Sequence, residues 1–335
     1  MKFLDLFAGI GGFRMGLEMA GHECLGFCEI DPFARKSYKT IYDTRGEVEM
    51  HDITRVSDEF IRGLGRVDII CGGFPCQAFS IAGNRRGFED TRGTLFFDIA
   101  RFAAILRPTY LFLENVRGLL NHDKGVTFET ILRILDDIGY DVEWDVFNSK
   151  DFGVPQNRER VFLIGHLRGA STRNLFPFGR ESQDLDDTSG VAVRSIGNVN
   201  PSGQGMNGQV YQVNGLAPTL TTNKGEGQKI AIPHYFSSGR EPKIIQRPRG
   251  ENKGGYYDIA PTVTSNSYQE NNHLLDGFRI RKLTPRECWR LQGFPDWAFD
   301  RAAAVNSNSQ LYKQAGNSVT VNVIYAIAKR LECLL

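Results

Sequence analysis

Short apolar runs alternate with segments of helical spacing through the first half of this chain. The runs are rich in β-branched or aromatic residues and are bounded by glycine or charged residues, which predicts buried strands. These strand-like runs are residues 3–7, 67–71, 110–113 and 161–165. Between them, apolar residues recur at helical spacing over residues 95–106 and 128–138, and Gly139 supplies a stop. The alternation predicts an α/β fold with a doubly wound, mainly parallel sheet up to about residue 166.

The pattern changes between residues 167 and 281. Glycine, asparagine, serine, threonine and proline become frequent there, with only short strand-like segments, which predicts a smaller β-rich domain. Helical patterns then return. Residues 284–287 form a capping box with Pro285 at the first helical position, and the apolar stripe over residues 317–335 predicts a terminal helix.

Composition limits the class of protein. The 335 residues are 41% hydrophobic and 24% charged, which suits one large or two modest globular domains. No apolar run approaches the roughly 20 residues that span a bilayer, and the chain begins directly with a strand pattern instead of a signal sequence. We therefore expect a cytoplasmic protein without a membrane segment. The six cysteines show no repeated pair at zinc-ligand spacing, which predicts free thiols and no metal.

The charge of the chain is nearly balanced but unevenly distributed. A net charge of +1 argues against a uniformly basic nucleic-acid binder. Residues 194–282 nevertheless hold 11 Lys and Arg against 6 Asp and Glu. This surplus is compatible with a solvated face or with phosphate contacts, for which Arg247 and Arg249 are candidates.

The segment 71–80, Cys-Gly-Gly-Phe-Pro-Cys-Gln-Ala-Phe-Ser, contains the clearest candidate nucleophile. Cys76 follows a predicted strand and a glycine pair, so it lies at the carboxyl edge where open α/β sheets bind ligands. A lone cysteine is more often a small packing residue than a catalytic one. Its interpretation therefore depends on its companions.

Further chemical groups occur at the ends of other predicted strands. Glu114 follows the run at 110–113, and Arg158 and Arg160 precede the run at 161–165. At the amino terminus a strand leads into a turn with Gly9 and Gly11, where free backbone amides can bind a ligand. Each feature has a plain structural alternative: a tight turn, a helix cap or a solvated face. Their convergence on one edge of a sheet favours an active site.

Two acidic residues, Glu29 and Asp31, follow that glycine turn by about 20 residues, the spacing at which an acid binds a ribose in nucleotide-binding βαβ units. A nicotinamide dinucleotide is the alternative ligand. Against it, the turn lacks the third glycine of the dinucleotide fingerprint at its expected spacing.

Several motifs occur in a fixed order along the whole chain. They are Asp5 to Gly12, Glu29-Ile30-Asp31, Asp52-Ile53, Gly73 to Gln77, Arg92 to Phe96, Glu114-Asn115-Val116, Gln156 to Arg160, Leu283 to Glu287 and Gln314 to Val319. In these motifs the chain resembles the DNA (cytosine-5) methyltransferases, most closely the short bacterial and phage enzymes of restriction–modification systems. Ile30 and His51 depart from residues frequent in the family, and both would tune the adenine pocket.

The resemblance implies an S-adenosylmethionine-dependent methyltransferase fold and that cofactor as the methyl donor. Glu29 would bind the ribose hydroxyls, Asp52 the adenine amino group, and four apolar residues the faces of the ligand: Phe7, Ile30, Ile53 and Leu95. Asn317 and Val319 would close the pocket. The catalytic domain would then comprise residues 1–166 and 312–335, the target-recognition domain residues 167–281, and a hinge with the capped helix residues 282–311.

The same resemblance implies covalent catalysis on a cytosine flipped out of double-stranded DNA. Cys76 would add to ring carbon 6, Glu114 would protonate ring nitrogen 3, Arg160 would bind the carbonyl oxygen and fix Glu114, and Arg158 would support developing charge. The expected DNA contacts are Gln77, Ser80, Arg92, Gln204, Thr219, Thr222, Arg247 and Arg249. A monomer acting at a short specific sequence, and protecting DNA from a restriction enzyme, is expected.

Two alternatives remain at this point. A methyltransferase of the same chemistry acting on transfer RNA would have a short recognition region, whereas a long segment separates Gly165 from Lys282. A DNA-binding regulator with an inactive site would not need Cys76, Glu114 and both arginines.

Overall fold

A computed structural model describes most of the chain. It covers residues 1–75, 95–170, 174–176, 193, 195–198, 209–212, 216–220, 229–233, 243–246, 255–257, 273–275 and 278–332. Two compact units are present. The larger comprises Met1–Gly190, Pro218–Thr222 and Pro285–Leu335, and the smaller comprises Val191–Ala217 and Asn223–Thr284.

Strands and helices alternate in the first part of the larger unit, as the apolar pattern predicts. Its elements are β1 (Lys2–Leu6), α1 (Gly12–Met19), β2 (Glu23–Cys28), α2 (Pro32–Ile41), β3 (Val48–Met50), α3 (Asp58–Gly63), β4 (Ile69–Gly73), α4 (Leu95–Leu106), β5 (Tyr110–Val116), α5 (Val126–Asp137), β6 (Tyr140–Asn148), β7 (Gln156–Asn157) and β8 (Glu159–Leu167). Short 3₁₀ helices occur at Ile53–Arg55, Arg117–Gly125 and Ser149–Phe152.

Seven of these strands form one sheet in the order β3-β2-β1-β4-β5-β8-β6. The first five strands in this order, β3, β2, β1, β4 and β5, are each parallel to their neighbours. Strand β8 runs antiparallel to both β5 and β6. The predicted α/β class with a mainly parallel sheet is confirmed. Because β8 is reversed, its amino-terminal end lies at the carboxyl end of β5, with Arg160 opposite Val116.

Helices cover both faces of the sheet, and two buried clusters form the core. One cluster joins β1, β4 and β5 to α4 and α5, where Phe96, Phe102, Ile131 and Leu135 are buried. The other includes residues of α1 and of the carboxyl-terminal helix α9 (Val321–Glu332). Gly16 permits close packing of these two helices, since a Cβ there would lie 2.7 Å from Ile324 Cβ.

The carboxyl-terminal segment is divided into several helices. Pro285 begins α6 (Pro285–Leu291), as its capping pattern predicts, and α7 (Asp296–Ala303), α8 (Asn308–Asn317) and α9 follow. The predicted terminal helix over residues 317–335 is therefore too long at its start. Ser318 is extended, with ψ 156°, and residues 318–320 separate α8 from α9.

The smaller unit consists of short strands. A four-stranded sheet has the order β16-β12-β10-β9, formed by Phe278–Lys282, Lys229–Pro233, Gln209–Gln212 and Ser195–Asn198. A three-stranded sheet has the order β14-β13-β15, formed by Gly255–Tyr257, Lys243–Gln246 and His273–Leu275. The short β11 (Ala217–Pro218) lies where the chain passes from the smaller unit to the larger.

The limits of the two units do not follow the predicted domain limits, and most of the predicted hinge, residues 285–311, belongs to the larger unit. Residues 174–176 belong to the larger unit, because Glu143 accepts hydrogen bonds from the backbone amides of Leu175 and Phe176. Residues 218–222 also belong to it, although the chain on both sides is part of the smaller unit. The role of each unit stays a prediction. Within the described residues, no helix is both long and apolar enough to cross a membrane.

Candidate active site

A buried carboxylate and a guanidinium lie together at the junction of β5 and β8. Oε1 of Glu114 lies 3.0 Å from Nε of Arg160, and both side chains are largely buried. Burial raises the pKa of Glu114, while the charges of Arg160 and Arg158 oppose the increase. Glu114 is therefore a carboxyl group that holds a proton more readily than an exposed one. The sequence places both residues at strand ends, and the reversal of β8 brings them into contact.

The end of β4 lies beside this pair. Gly73 is the register partner of Glu114, and a Cβ on Gly73 would lie 2.9 Å from Glu114 Oε2, so the glycine leaves room for the carboxylate. Asn115 donates from Nδ2 to the carbonyl of Phe74 at 2.9 Å, which fixes the chain as it leaves the strand. Cys76 follows two residues later. It lies outside the described residues, so the position of its thiol is a prediction.

The glycine turn after β1 has an unusual backbone. Phe7, Gly9 and Gly11 all have positive φ values of 55°, 56° and 81°. The amide of Gly11 donates to the carbonyl of Ala8 at 2.7 Å, which closes the turn before α1 begins. Nothing lies within 4 Å of a Cβ built on Gly9, so the space beside this residue is open.

Glu29 connects this turn to the segment after β2. Its two carboxylate oxygens accept hydrogen bonds from the backbone amides of Gly9 and Asp31, both at 2.7 Å. Burial raises the pKa of Glu29, and the two amide donors oppose this shift. Arg35 donates to the carbonyls of Glu29 and Ile30 at 2.7 and 2.8 Å, which fixes the backbone here. A constrained acceptor thus lies at the open side of the glycine turn.

The remaining residues predicted for the cofactor pocket have different surroundings. Ile30 is 66% exposed, so its apolar side chain is available to a ligand. Asp52 accepts from the amide and hydroxyl of Thr54 at 3.1 and 2.7 Å, and the hydroxyl contact lowers its pKa. Ile53 is buried in the core, and Leu95 packs against the same cluster. Of these, Ile30 offers the most open surface.

The carboxyl-terminal motif, residues 314–319, also lies beside the glycine turn. A Cβ on Gly12 would lie 2.7 Å from Val319 Cγ2, and one on Gly73 would lie 3.8 Å from Val319 Cγ1. Val319 is therefore next to both the glycine turn and the end of β4. Asn317 is exposed at the end of α8. The structure thus brings together chain segments that are about 300 residues apart in sequence.

Arg158 has a different environment from Arg160. It is buried, and its terminal nitrogens donate to backbone carbonyls: Nη1 to Leu220 at 3.2 Å, and Nη2 to Gly316 at 3.2 Å and Ser318 at 2.8 Å. Burial lowers the pKa of Arg158 to about 9, with a further contribution from the charge of Arg160. Thr219, one of the predicted DNA contacts, donates from its hydroxyl to the carbonyl of Asn157 at 2.8 Å.

A buried polar network lies behind the glycine turn. The hydroxyl of Tyr42 donates to the carbonyl of Gly11 at 2.7 Å, and the guanidinium of Arg14 stacks 4.4 Å from the Tyr42 ring centre. Asp5 accepts from the hydroxyl of Tyr38 at 3.2 Å. Burial raises the pKa of Asp5 to about 7.

Sequence reasoning did not assign roles to Tyr42, Gln156 or Asn115. Gln156 and Asn115 fall within recognised motifs, so the candidate site residues next to them in the sequence indicated that they lie near the site. Tyr42 stands in no motif, and only the folded chain brings it to Gly11. Other predicted site residues lie outside the described residues: Gln77, Ser80, Arg92, Gln204, Thr222, Arg247 and Arg249. In the described part of the chain, no group of three or more His, Cys, Asp or Glu could hold a metal ion.

Comparison with known families gives a match over nearly the whole chain. The family described as C-5 cytosine-specific DNA methylase matches residues 1–333. Among similar proteins, the orphan methyltransferase M.SPRI of Bacillus phage SPR is 34% identical, over 99% of this chain and 97% of its own length. The type II methyltransferase M.HpaII of Haemophilus parainfluenzae is 37% identical, over 98% of this chain and 88% of its own length.

Solved structures share the fold. The crystal structure of the S. pombe Dnmt2 methyltransferase superposes with a TM-score of 0.67 at 20% identity, covering 100% of this chain and 99% of that one. At this identity the likeness concerns the fold alone.

Proposed function

This chain belongs to the C-5 cytosine-specific DNA methylase family, and from that premise we propose that it transfers a methyl group from S-adenosylmethionine to duplex DNA through a covalent intermediate on Cys76. It is a DNA (cytosine-5) methyltransferase. The identity of the donor, the covalent route and the residue roles are the proposal. The observation that carries it is the buried Glu114 carboxyl beside Gly73, three residues before Cys76.

Chain geometry supports a thiol near this carboxyl. Three residues span at most about 11 Å when fully extended, so Cys76 cannot lie far from Gly73. Cys71, in contrast, is buried within β4, and burial raises the pKa of its thiol well above the ordinary range. A buried neutral thiol is a poor nucleophile. Of the two cysteines in this segment, we therefore assign the nucleophile to Cys76.

The proposed reaction begins with addition of the Cys76 thiolate to ring carbon 6 of cytosine. The carbon–sulfur bond forms as the ring double bond shifts its electrons, and Glu114 delivers a proton to ring nitrogen 3. Carbon 5 thereby becomes nucleophilic. Arg160 holds Glu114 and donates to the cytosine carbonyl oxygen, while Arg158 adds positive charge at longer range.

When bound, S-adenosylmethionine supplies an electrophilic methyl group to carbon 5. The cycle ends when a base removes the proton from carbon 5, Cys76 is eliminated and ring nitrogen 3 returns its proton to Glu114. A buried carboxyl with a raised pKa suits this exchange, because burial favours its protonated form and the contact with Arg160 stabilises the carboxylate that remains once the proton has been delivered.

The described residues fit this donor. The constrained Glu29 carboxylate can accept from ribose hydroxyls, Ile30 offers an exposed apolar surface, and the open space beside Gly9 leaves room for a ligand. Asp52, Phe7 and Leu95 are proposed to contact the adenine, and Asn317 and Val319 to close the pocket. A monomer is proposed as the active form.

The recognition of DNA is proposed from the sequence. The target carbon is enclosed in the duplex stack, so the cytosine must be flipped out at a cost of about a few kcal/mol. We assign the lid over the flipped base to residues 77–92 and base reading to residues 204–222. Protection of DNA from a restriction enzyme, in the bacterial cytoplasm, is the proposed biological role.

Mass spectrometry tests the donor directly. The purified protein is incubated with unmethylated duplex DNA and S-adenosylmethionine that carries a trideuterated methyl group, and the DNA is digested to nucleosides. We expect 5-methylcytosine with the mass of the labelled methyl group. Transfer RNA serves as the control substrate. Labelling of transfer RNA without labelling of DNA would contradict the proposal.

A further inference from the structure

The dipeptide Thr219-Leu220 is anchored by three consecutive residues of the larger unit. The backbone amide of Leu220 donates a hydrogen bond to Oε1 of Gln156 at 3.2 Å, and Arg158 donates to the carbonyl of Leu220 at 3.2 Å. The hydroxyl of Thr219 donates to the backbone carbonyl of Asn157 at 2.8 Å. Both polar groups of the Leu220 backbone are therefore bound by side chains. The chain leaves for the smaller unit on either side of this segment.

The same arginine also holds the carboxyl-terminal motif. Its Nη2 donates to the carbonyls of Gly316 and Ser318, at 3.2 and 2.8 Å. Ser318 immediately precedes Val319, which contacts the glycine turn through Gly12. One guanidinium thus connects the Thr219-Leu220 dipeptide to the turn between α8 and α9.

The placement of this arginine is energetically costly. Its side chain is buried, its acceptors are neutral carbonyls, and its Nε has no hydrogen-bond partner among the described residues. A buried charge without a paired carboxylate is disfavoured, so stability alone is a weak reason for an arginine here. The planar fork of guanidinium donors can bind several carbonyls in fixed directions, which a lysine ammonium cannot reproduce. The fixed directions of its donors therefore explain an arginine at position 158 better than its charge does.

We propose that Arg158 is a positioning residue that links the Thr219-Leu220 dipeptide to the turn at residues 316–318, so that DNA binding and cofactor binding are coupled. The cofactor part rests on the proposed function. A DNA contact near Thr219 would fix the dipeptide, and Arg158 would then fix Ser318 and Val319 at the pocket. Coupling of this kind is reciprocal, so the cofactor would also strengthen DNA binding.

Binding measurements in four combinations test the coupling. S-adenosylhomocysteine is titrated into wild-type protein and R158K, each with and without a duplex that carries the target sequence. That sequence is first identified by bisulfite sequencing of DNA methylated by the wild-type protein. We expect DNA to tighten binding to the wild type by about fivefold or more. In R158K this ratio should fall towards one. R168K provides the matched control, because Arg168 is partly exposed and pairs with Asp136 and Asp141.

The ratio separates coupling from a general structural defect. If R158K weakened binding equally with and without DNA, the ratio would be unchanged and the proposed link would be wrong. The same conclusion would follow if wild-type protein bound S-adenosylhomocysteine equally well in both conditions.

Hydrogen–deuterium exchange provides a test that needs neither the cofactor nor a folded variant. Duplex DNA alone is added to the wild-type protein, and exchange is followed in peptides covering residues 216–220 and 314–320. We expect slower exchange in both peptides. Protection of 216–220 without any change in 314–320 would overturn the coupling. Failure of S-adenosylhomocysteine to bind would instead contradict only the proposed donor, since this experiment does not use it.

Discussion

Nε of Arg160 lies 3.0 Å from Oε1 of Glu114, and this ion pair joins two strands that run in opposite directions. The arginine fixes the carboxyl group, while burial keeps its pKa above the ordinary value. These two effects together give a carboxyl group of fixed orientation that can hold a proton. This is the arrangement that protonation of a ring nitrogen requires.

Replacement of this carboxyl should remove most of the activity. An amide in E114Q can form a hydrogen bond but cannot deliver a proton, so we expect the single-turnover methylation rate to fall about 10²-fold to 10⁴-fold. DNA binding should persist. The matched control is E159Q, which changes a half-exposed glutamate next to Arg160 that pairs with Arg117. A single-turnover rate for E114Q close to that of E159Q would show that Glu114 is only structural.

The ribose-binding role of Glu29 predicts a specific loss of cofactor affinity. In E29Q one of the two carboxylate oxygens becomes an NH₂ group, which is a donor. The side chain can then no longer accept from both the Gly9 and Asp31 amides and also bind the ribose hydroxyls. Hydrogen bonds to charged groups contribute about 1.5–3 kcal/mol, so affinity should fall roughly 10-fold to 100-fold. Calorimetric titration with S-adenosylhomocysteine measures this. E23Q, at the exposed start of β2, should retain wild-type affinity, and an equal loss in both variants would argue against a direct role.

The space behind the glycine turn predicts a large effect of a single methyl group. In G11A the new Cβ would lie 2.6 Å from the Tyr42 hydroxyl, at a φ of 81° that disfavours alanine. Tyr42 is buried against Arg14 and cannot move away easily. We expect urea unfolding to show a loss of about 3 kcal/mol from overpacking and backbone strain together.

The variant G65A measures the backbone strain without the overpacking. The φ of Gly65 is also positive, 74°, but nothing lies within 4 Å of a Cβ built on it. G65A should therefore lose only the backbone part, about 1 kcal/mol. Equal losses in the two variants would mean that Tyr42 gives way.

Asp5 predicts a pH dependence of stability. Its folded pKa is about 7, raised from 3.8 by burial, so the unfolded chain releases the proton at lower pH than the folded protein does. The stabilising contribution is complete below about pH 3.8 and is lost as pH rises towards 7. Relative to D5N, the wild type should lose roughly 2 kcal/mol between pH 5 and pH 7. Urea unfolding at several pH values measures the difference, and parallel curves for both proteins would contradict the buried ionisation.

Much of this site was predictable because its residues stand at strand ends. Glu114 follows an apolar run and Arg160 precedes one, and local patterns reveal both. The direction of β8 was not predictable from these patterns, because it depends on how the sheet is completed. The antiparallel pairing of β8 with β5 is what places Arg160 beside Glu114.

Contacts between segments that are distant in the chain could not be predicted from the sequence. Leu220 lies within a region predicted to form a separate domain, yet its backbone is bound by Gln156 and Arg158. The terminal helical pattern also concealed the break at residues 318–320, since the apolar stripe continues through it. A hydrogen bond between remote residues has no local periodicity, so only the folded chain reveals it.

The covalent route through Cys76 is the central claim, and a trapping experiment tests it most directly. In duplex DNA with 5-fluorocytosine at the target, the fluorine cannot leave as a cation, so elimination of the cysteine is blocked. With S-adenosylmethionine, wild-type protein and C71S should both give a protein–DNA complex that survives a denaturing gel. C76S should give none. A stable complex with C76S, or none with a wild-type enzyme that methylates ordinary DNA, would contradict the account.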